Sequence, residues 1–426
     1  MKVLIVGAGP AGLLLGLLLA KDGIEVQLLE ANDYLDAQPR ACHYAPNAVL
    51  DLIRAPGVLD DCRAVGFTPD GVSWRKKDGS LITSISNGDI PQELYDVRMV
   101  CLPLNLLSGI LLKHLEKQPT AEVRWKHKVV KQGEDSAKGK AWVVAQKAGG
   151  EEEKFEADYV VGCDGANSQV RRSLFGDWEF PGWTWDKQIV ATNIYYDFRK
   201  FGWIDANFIV HPDDWFMAAK ITPDGMWRVT YGDKFGLSNE EYKERLPMRF
   251  KELLPGAPEP DQYKLVSMSP YKIHQRLVTR MRVGRFLLAA DAAHLCNPFG
   301  GLGLTGGIID VGGLYDCLIG IYRGVADESI LDKYDEVRRE KYNTITDPVS
   351  CENFKRLWDQ DPDKCLENDV FFQMCQRAST DKEFAKQMQM AAMGMRHDFT
   401  QYYNKSSEGK ANGTAAVEVL EVAVPQ

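Results

Sequence analysis

Gly7-Ala8-Gly9-Pro10-Ala11-Gly12 stands between two apolar runs, Lys2–Val6 and Leu13–Ala20. Strand, glycine turn and helix in that order make a dinucleotide-binding crossover. Gly7 permits the tight turn, Gly9 admits a diphosphate, and Gly12 lets the helix approach the sheet. The helix N-terminus at Ala11 and Gly12 offers amide donors and a favourable dipole to phosphate. A second strand, Ile24–Leu29, ends at Glu30, whose carboxylate can accept both hydroxyls of a ribose and disfavours a 2′-phosphate. These features alone do not separate FAD from NAD.

Two later stretches repeat the theme of apolar strand, acid and glycine. Tyr159-Val160-Val161 runs into Gly162-Cys163-Asp164-Gly165, and Ser168 then opens a helical turn carrying Arg171 and Arg172. Arg285–Ala290 predicts a short strand, followed by Asp291 and by Asn297-Pro298-Phe299-Gly300-Gly301-Leu302-Gly303-Leu304. A helix from about Leu304 points its first amides at a phosphate or an electron-rich ring edge. Arg40, ahead of a helix near Pro46, offers a guanidinium to the cofactor. His294, among small neighbours, reads as a structural hydrogen-bond donor rather than a base.

The 426 residues can bury a sizeable core in two intimate lobes. Net charge is −9 with both signs interspersed, which offers no basic surface to nucleic acid. The nine cysteines show no C-x-x-C, and the histidines give no convincing metal set, so no metal is expected. Reduced thiols point to the cytoplasm. Lys21-Asp22-Gly23 cuts the first apolar run short, and no later run of about 20 uninterrupted apolar residues argues for integral membrane association.

From residue 188 to 231 the pattern becomes an antiparallel meander, with turns at Pro212-Asp213-Asp214 and Thr222-Pro223-Asp224-Gly225. Trp203, Trp215, Phe216, Met217, Trp227 and Tyr231 are candidates for a broad aromatic wall. Tyr44, His211, Arg228 and Tyr231 are the candidate catalytic contacts to a substrate, Arg228 fitting an anionic one. His43, without a ligand cluster nearby in sequence, reads as packing or substrate-facing.

Taken together, the three ordered motifs resemble the class A flavoprotein monooxygenases with the para-hydroxybenzoate hydroxylase fold, across roughly residues 2 to 345. The resemblance implies an α/β chain: a Rossmann-like FAD-binding lobe, an inserted antiparallel β-sheet substrate lobe and C-terminal helices. It divides the chain into residues 1–180 and 276–345 for the FAD lobe, 181–275 for the substrate sheet, 346–408 for the helices and 409–426 for a peripheral or disordered tail. Gly7, Gly9, Ala11, Gly12 and Glu30 then match the ADP side of FAD. Asp164 matches a motif shared by FAD and nicotinamide use, Asp291 the acid near the ribityl chain, and Pro298, Gly301, Gly303 and Leu304 the loop beside the isoalloxazine. Ala290 stands where the family usually has glycine, and Thr305-Gly306 where it commonly has asparagine.

The implied activity is hydroxylation of an aromatic or phenolic metabolite by molecular oxygen, through a flavin C4a-hydroperoxide. NADPH, or NADH, acts as a transient co-substrate. The alternatives are an FAD-dependent epoxidase, an oxidase or dehydrogenase, or a catalytically inactive flavin-binding protein. The C-terminal helices offer a surface for a homodimer.

Overall fold

The computed structural model describes residues 1–37, 42–88 and 96–404. Arg40 and the tail from 409 onward lie outside the described residues.

The opening strand Lys2–Val6 is buried between Glu25–Leu29 and Tyr159–Gly162, parallel to both. Buried on both faces, these strands carry continuous apolar runs rather than an alternating pattern. Phe286–Leu288 and Ala121–Arg124 extend the parallel sheet on either side, and the short Arg282–Val283 closes one edge antiparallel. A single sheet is thus assembled from segments more than 250 residues apart in the chain. A three-stranded antiparallel sheet, His127–Asp135, Lys140–Lys147 and Glu152–Ala157, fills the crossover before Tyr159.

The second large sheet has eight strands, in the order His294–Leu295, Lys264–Leu277, Gly182–Tyr195, Met226–Asp233, Phe216–Lys220, Ala206–Val210, Gly71–Lys76 and Leu81–Ser86. Two of its strands come from residues 71–86, within the stretch assigned from sequence to the first part of the FAD lobe. Gly71–Lys76 joins through a parallel pairing with Ala206–Val210, a long-range contact that local pattern does not encode. Helix Asn239–Leu253 covers one face. It begins at a reciprocal cap, with the Ser238 hydroxyl accepting from the Glu241 amide at 3.2 Å and the Glu241 carboxylate accepting from the Ser238 amide at 2.7 Å.

The helix Leu302–Tyr322, though interrupted by Asp310 and Asp316, is long and apolar enough on average to cross a bilayer, yet 89% of its apolar window is buried inside the protein. It packs against the first helix, Pro10–Lys21, and serves as the core of the FAD lobe. Helices Ile330–Lys341 and Asp347–Trp358, joined by a π-helical turn at Tyr342–Thr346, continue the chain along the seam between the two sheets.

Candidate active site

At the glycine turn, two close approaches explain the residue types. A Cβ on Gly7 (φ 102°) would lie 2.6 Å from the Cys163 carbonyl oxygen, and one on Gly12 would lie 2.1 Å from the carbonyl of Gly7. Gly9 differs, since a Cβ there would meet nothing within 4 Å. Its smallness serves a ligand rather than the protein's own packing. Helix Pro10–Lys21 starts on Gly9 with no side-chain cap, leaving its first amides for an anion. The Glu30 carboxylate accepts from the Ala8 amide at 2.8 Å and the Asn32 amide at 2.9 Å, which holds it at the strand end with lone pairs to spare. Around them opens a cleft of about 490 Å³ lined by Gly7, Gly9, Glu30, Trp125, Asp164 and Arg172. Open space at Gly9, uncapped amides and an acid held at the strand end fit the ADP half of FAD.

Asp164 lines the same cleft, but both its oxygens are engaged by the protein. One accepts from the Ser168 hydroxyl at 2.5 Å, the other from the amides of Gln169 and Val170 at 2.6 and 3.1 Å. Its main work is to hold the start of helix Gln169–Phe175. From that helix Arg171 reaches the Ala292 carbonyl at 3.2 Å and lies over the Phe180 ring, tying this loop to the second acid motif. There Asp291 is exposed on a single 3-10 turn, and Ala290 before it takes the left-handed φ of 55°. The loop then runs through Pro298 to Gly301 (φ 63°), on which the long helix begins at Leu302, two residues earlier than expected. Like the first helix, this one has no side-chain cap, so the amides around Gly303 and Leu304 are available to the isoalloxazine end.

A buried network sets this second loop. His294 Nε2 pairs with Asp310 at 2.6 Å, the Ala290 amide donates to the same oxygen at 3.0 Å, and Arg338 donates to the other at 2.7 Å. Burial opposes ionisation of Asp310, but the charges of His294 and Arg338 outweigh it and hold the carboxyl down at about 2. His294 is structural, as its small neighbours suggested.

The pleat of the large sheet sorts the substrate-side residues. Trp227, Val229 and Tyr231 alternate onto the face covered by helix Asn239–Leu253, where Tyr231 is fully buried against Phe250. Trp203 and Phe216 lie with them. This corrects the expectation of one aromatic wall: of those residues, Trp215 and Met217 pack on the other side, Trp215 against Phe299 of the flavin loop. Arg228 stands in register with Asn193 and Ala219 on the opposite face from Tyr231, its Nε donating to Asn193 at 3.1 Å. His211 is set apart at the end of Ala206–Val210, where its Nδ1 accepts the amides of Asp213 and Asp214 and closes a turn. Tyr44 is fully enclosed in the FAD-lobe core.

Close to Arg228 lies a group whose members, His43 apart, the sequence gives no reason to bring together. His43–Tyr44 pairs antiparallel with Val100–Cys101, setting His43 opposite Cys101. His43 Nδ1 lies 3.1 Å from Cys42 Sγ, and its Nε2 is buried with no hydrogen-bond partner. Burial opposes ionisation of the Cys42 thiol, but the hydrogen bond with Cys101 and the charges of His43 and Arg228 hold it well below its ordinary range. Nothing local marks His43 as special, because Cys101 and Arg228 reach it only through the fold.

The comparisons agree with this geometry. Residues 1–348 match the family model described as an FAD binding domain. The para-nitrophenol 4-monooxygenase of Pseudomonas sp. (strain WBC-3) is 37% identical over 385 residues, covering 90% of this chain and 93% of that one. The chain belongs to the class A FAD-dependent monooxygenases. A second relative, 6-hydroxy-3-succinoylpyridine 3-monooxygenase HspB of Pseudomonas putida (strain DSM 28022 / S16), is 38% identical, covering 85% of this chain and 90% of that one. The crystal structure of p-nitrophenol 4-monooxygenase PnpA from Pseudomonas putida DLL-E4 superposes with a TM-score of 0.85 at 35% identity, covering 92% and 97% of the two chains. This monooxygenase is therefore an FAD-dependent aromatic hydroxylase whose substrates are an aromatic compound and molecular oxygen, with NAD(P)H as the usual reductant of such enzymes.

Proposed function

We propose that this monooxygenase hydroxylates a phenol or hydroxylated heteroaromatic ring, and that His43 receives the ring hydroxyl. The observation that carries the reading is the buried Nε2 of His43 without a partner, on a ring that sits beside the Cys42 sulfur and close to Arg228. With Nδ1–H directed to the Cys42 thiolate, Nε2 presents its lone pair and takes the phenol proton. Arg228, oriented by Asn193, then faces the phenolate oxygen with positive charge. A deprotonated ring is the electron-rich form that attacks an electrophilic oxygen. When bound, FAD reduced by NADPH supplies the chemistry that activates oxygen for this transfer. Glu30 and the amides after Gly9 hold its ADP end, and those after Gly301 its ring end. The two relatives described above are named for rings bearing an ionisable hydroxyl, para-nitrophenol and 6-hydroxy-3-succinoylpyridine. Tyr44, His211 and Tyr231 have no part in this reading. We place the enzyme in the cytoplasm as a homodimer, a compartment that suits nine unpaired cysteines.

The test is anaerobic stopped-flow reduction of the holoenzyme flavin by NADPH, with 4-nitrophenol, other phenols and their methyl ethers, followed by labelled-oxygen incorporation. Phenols should accelerate reduction and emerge carrying one labelled oxygen, whereas the ethers should not. Equal turnover of the ethers would remove the need for a proton acceptor and overturn the assignment to His43.

A further inference from the structure

Cys42, His43 and Cys101 together form a cluster that substrate activation does not exhaust. Their two sulfurs and an imidazole nitrogen all lie within 4.8 Å of one another. The register explains why: His43 and Cys101 face each other across an antiparallel pair, and the Leu102 amide donates to the Cys42 carbonyl at 2.9 Å, locking the adjoining step. Among the described residues this is the one such grouping of histidine, cysteine and acid ligands.

We propose that Cys42, His43 and Cys101 form a binding site for a thiophilic divalent cation of the zinc class. A tetrahedral zinc with Zn–S of about 2.3 Å and Zn–N of about 2.0 Å sets its ligand atoms roughly 3.3–3.8 Å apart. Cys42 and His43 are already closer than this, at 3.1 Å, and both separations to Cys101 are no more than 4.8 Å, so closing the set around an ion requires a contraction of at most about 1–1.5 Å. Charge selects the metal. Two thiolates neutralise a divalent ion, which spares a buried site the cost of a net charge, whereas a monovalent copper leaves it anionic. Magnesium and calcium are excluded by the absence of oxygen ligands in the set.

Cys101 is fully buried and Cys42 nearly so, while His43 is partly exposed, so the ion enters along the imidazole. Without metal, Cys101 Sγ lies 3.5 Å from the Lys220 carbonyl and shares a hydrogen bond with Cys42. On binding, one proton leaves Cys101 and one leaves the Cys42–His43 pair, two protons per ion. The three protein ligands leave a fourth position for water or a phenolate. An ion held by His43 Nδ1 puts the remaining imidazole proton on Nε2, so the same event removes the base. That consequence rests on the proposed role of His43; the binding itself does not.

The experiment is calorimetric titration of zinc sulfate into chelator-treated FAD holoenzyme without substrate, in two buffers of different ionisation enthalpy. One zinc per chain with about two protons released is expected, and Cys42→Ser and Cys101→Ser should each weaken binding on the order of a hundredfold. FAD content and melting temperature show that the variants fold. Zinc should also protect Cys42 and Cys101, and no other cysteine, from iodoacetamide in peptide mass spectrometry. Unchanged stoichiometry and affinity when Cys42→Ser and Cys101→Ser are combined, or protection elsewhere, overturns the site. Zinc binding that leaves phenol-stimulated NADPH oxidation untouched confirms the site and overturns the role of His43 instead.

Discussion

His43 and Ala290 show how single residues acquire roles from their surroundings. Burial disfavours the His43 imidazolium, but the charge and hydrogen bond of Cys42 outweigh it and raise the group above its ordinary 6.5. The neutral form is the base, so kcat/KM should rise with pH through a value above 6.5. In His43→Gln that acidic limb should vanish and kcat fall by about 10²–10⁴-fold, with FAD content unchanged. A pH–rate series on both proteins checks this. Ala290 sits beside Asp291 at a φ that costs an alanine about 1–2 kcal/mol. Ala290→Gly relieves the strain but enlarges the unfolded ensemble, leaving a net gain of up to about 1 kcal/mol. Urea unfolding should therefore show a higher midpoint with an unchanged slope.

Among the elements, the long helix Leu302–Tyr322 owes its position to ion pairs as well as to its apolar surface. Asp310 on this helix joins His294, the Ala290 amide and Arg338, and Asp316 meets Arg54, the residue that caps helix Pro46–Ile53. Removing one charge strands the others, so Asp310→Asn should destabilise the protein by about 3–5 kcal/mol. The same pairing fixes a pH dependence. The folded carboxyl titrates at about 2 against an ordinary 3.8, so its contribution is complete above pH 3.8 and is lost as pH falls toward 2. The loss amounts to roughly 2 kcal/mol and should be missing from the acid-unfolding profile of the Asn variant.

For the whole molecule, Gln275 is the junction of the large sheet, the flavin loop and the C-terminal helices. Its oxygen accepts from the Asn297 amide at 2.6 Å and from Asn297 Nδ2 at 3.2 Å, while its nitrogen donates to Asp347 at 2.7 Å and Ser350 at 3.1 Å. Gln275→Leu removes the acceptor of the buried Asn297 amides, at about 1–3 kcal/mol, and the bridge to Asp347 and Ser350. The flavin loop should loosen before the sheets separate, so FAD fluorescence on heating should appear below the main melting transition. Coincident FAD release and unfolding would show that the junction does not hold the loop.

Much of this was legible in the chain itself. Continuous apolar strands, a glycine set where a Cβ would strike the carbonyl one turn back, and acids at strand ends are local constraints, so Gly7, Gly12 and Glu30 announce a dinucleotide-binding lobe from sequence, and the later acid motifs make it an FAD lobe. The pleat of the large sheet was not legible, since a strand's alternation says which residues share a face but not which face meets the cofactor. Tyr231 and Arg228 look equally suited to a substrate until helix Asn239–Leu253 covers one of them. Nor does any spacing bring Cys101 to Cys42 and His43, or the strand Gly71–Lys76 to Ala206–Val210. The amino-acid sequence by itself determined the nucleotide fold and its chemistry, because backbone sterics act over a few residues; the tertiary structure decided which side chains meet the ring, because that depends on contacts between segments far apart in the chain.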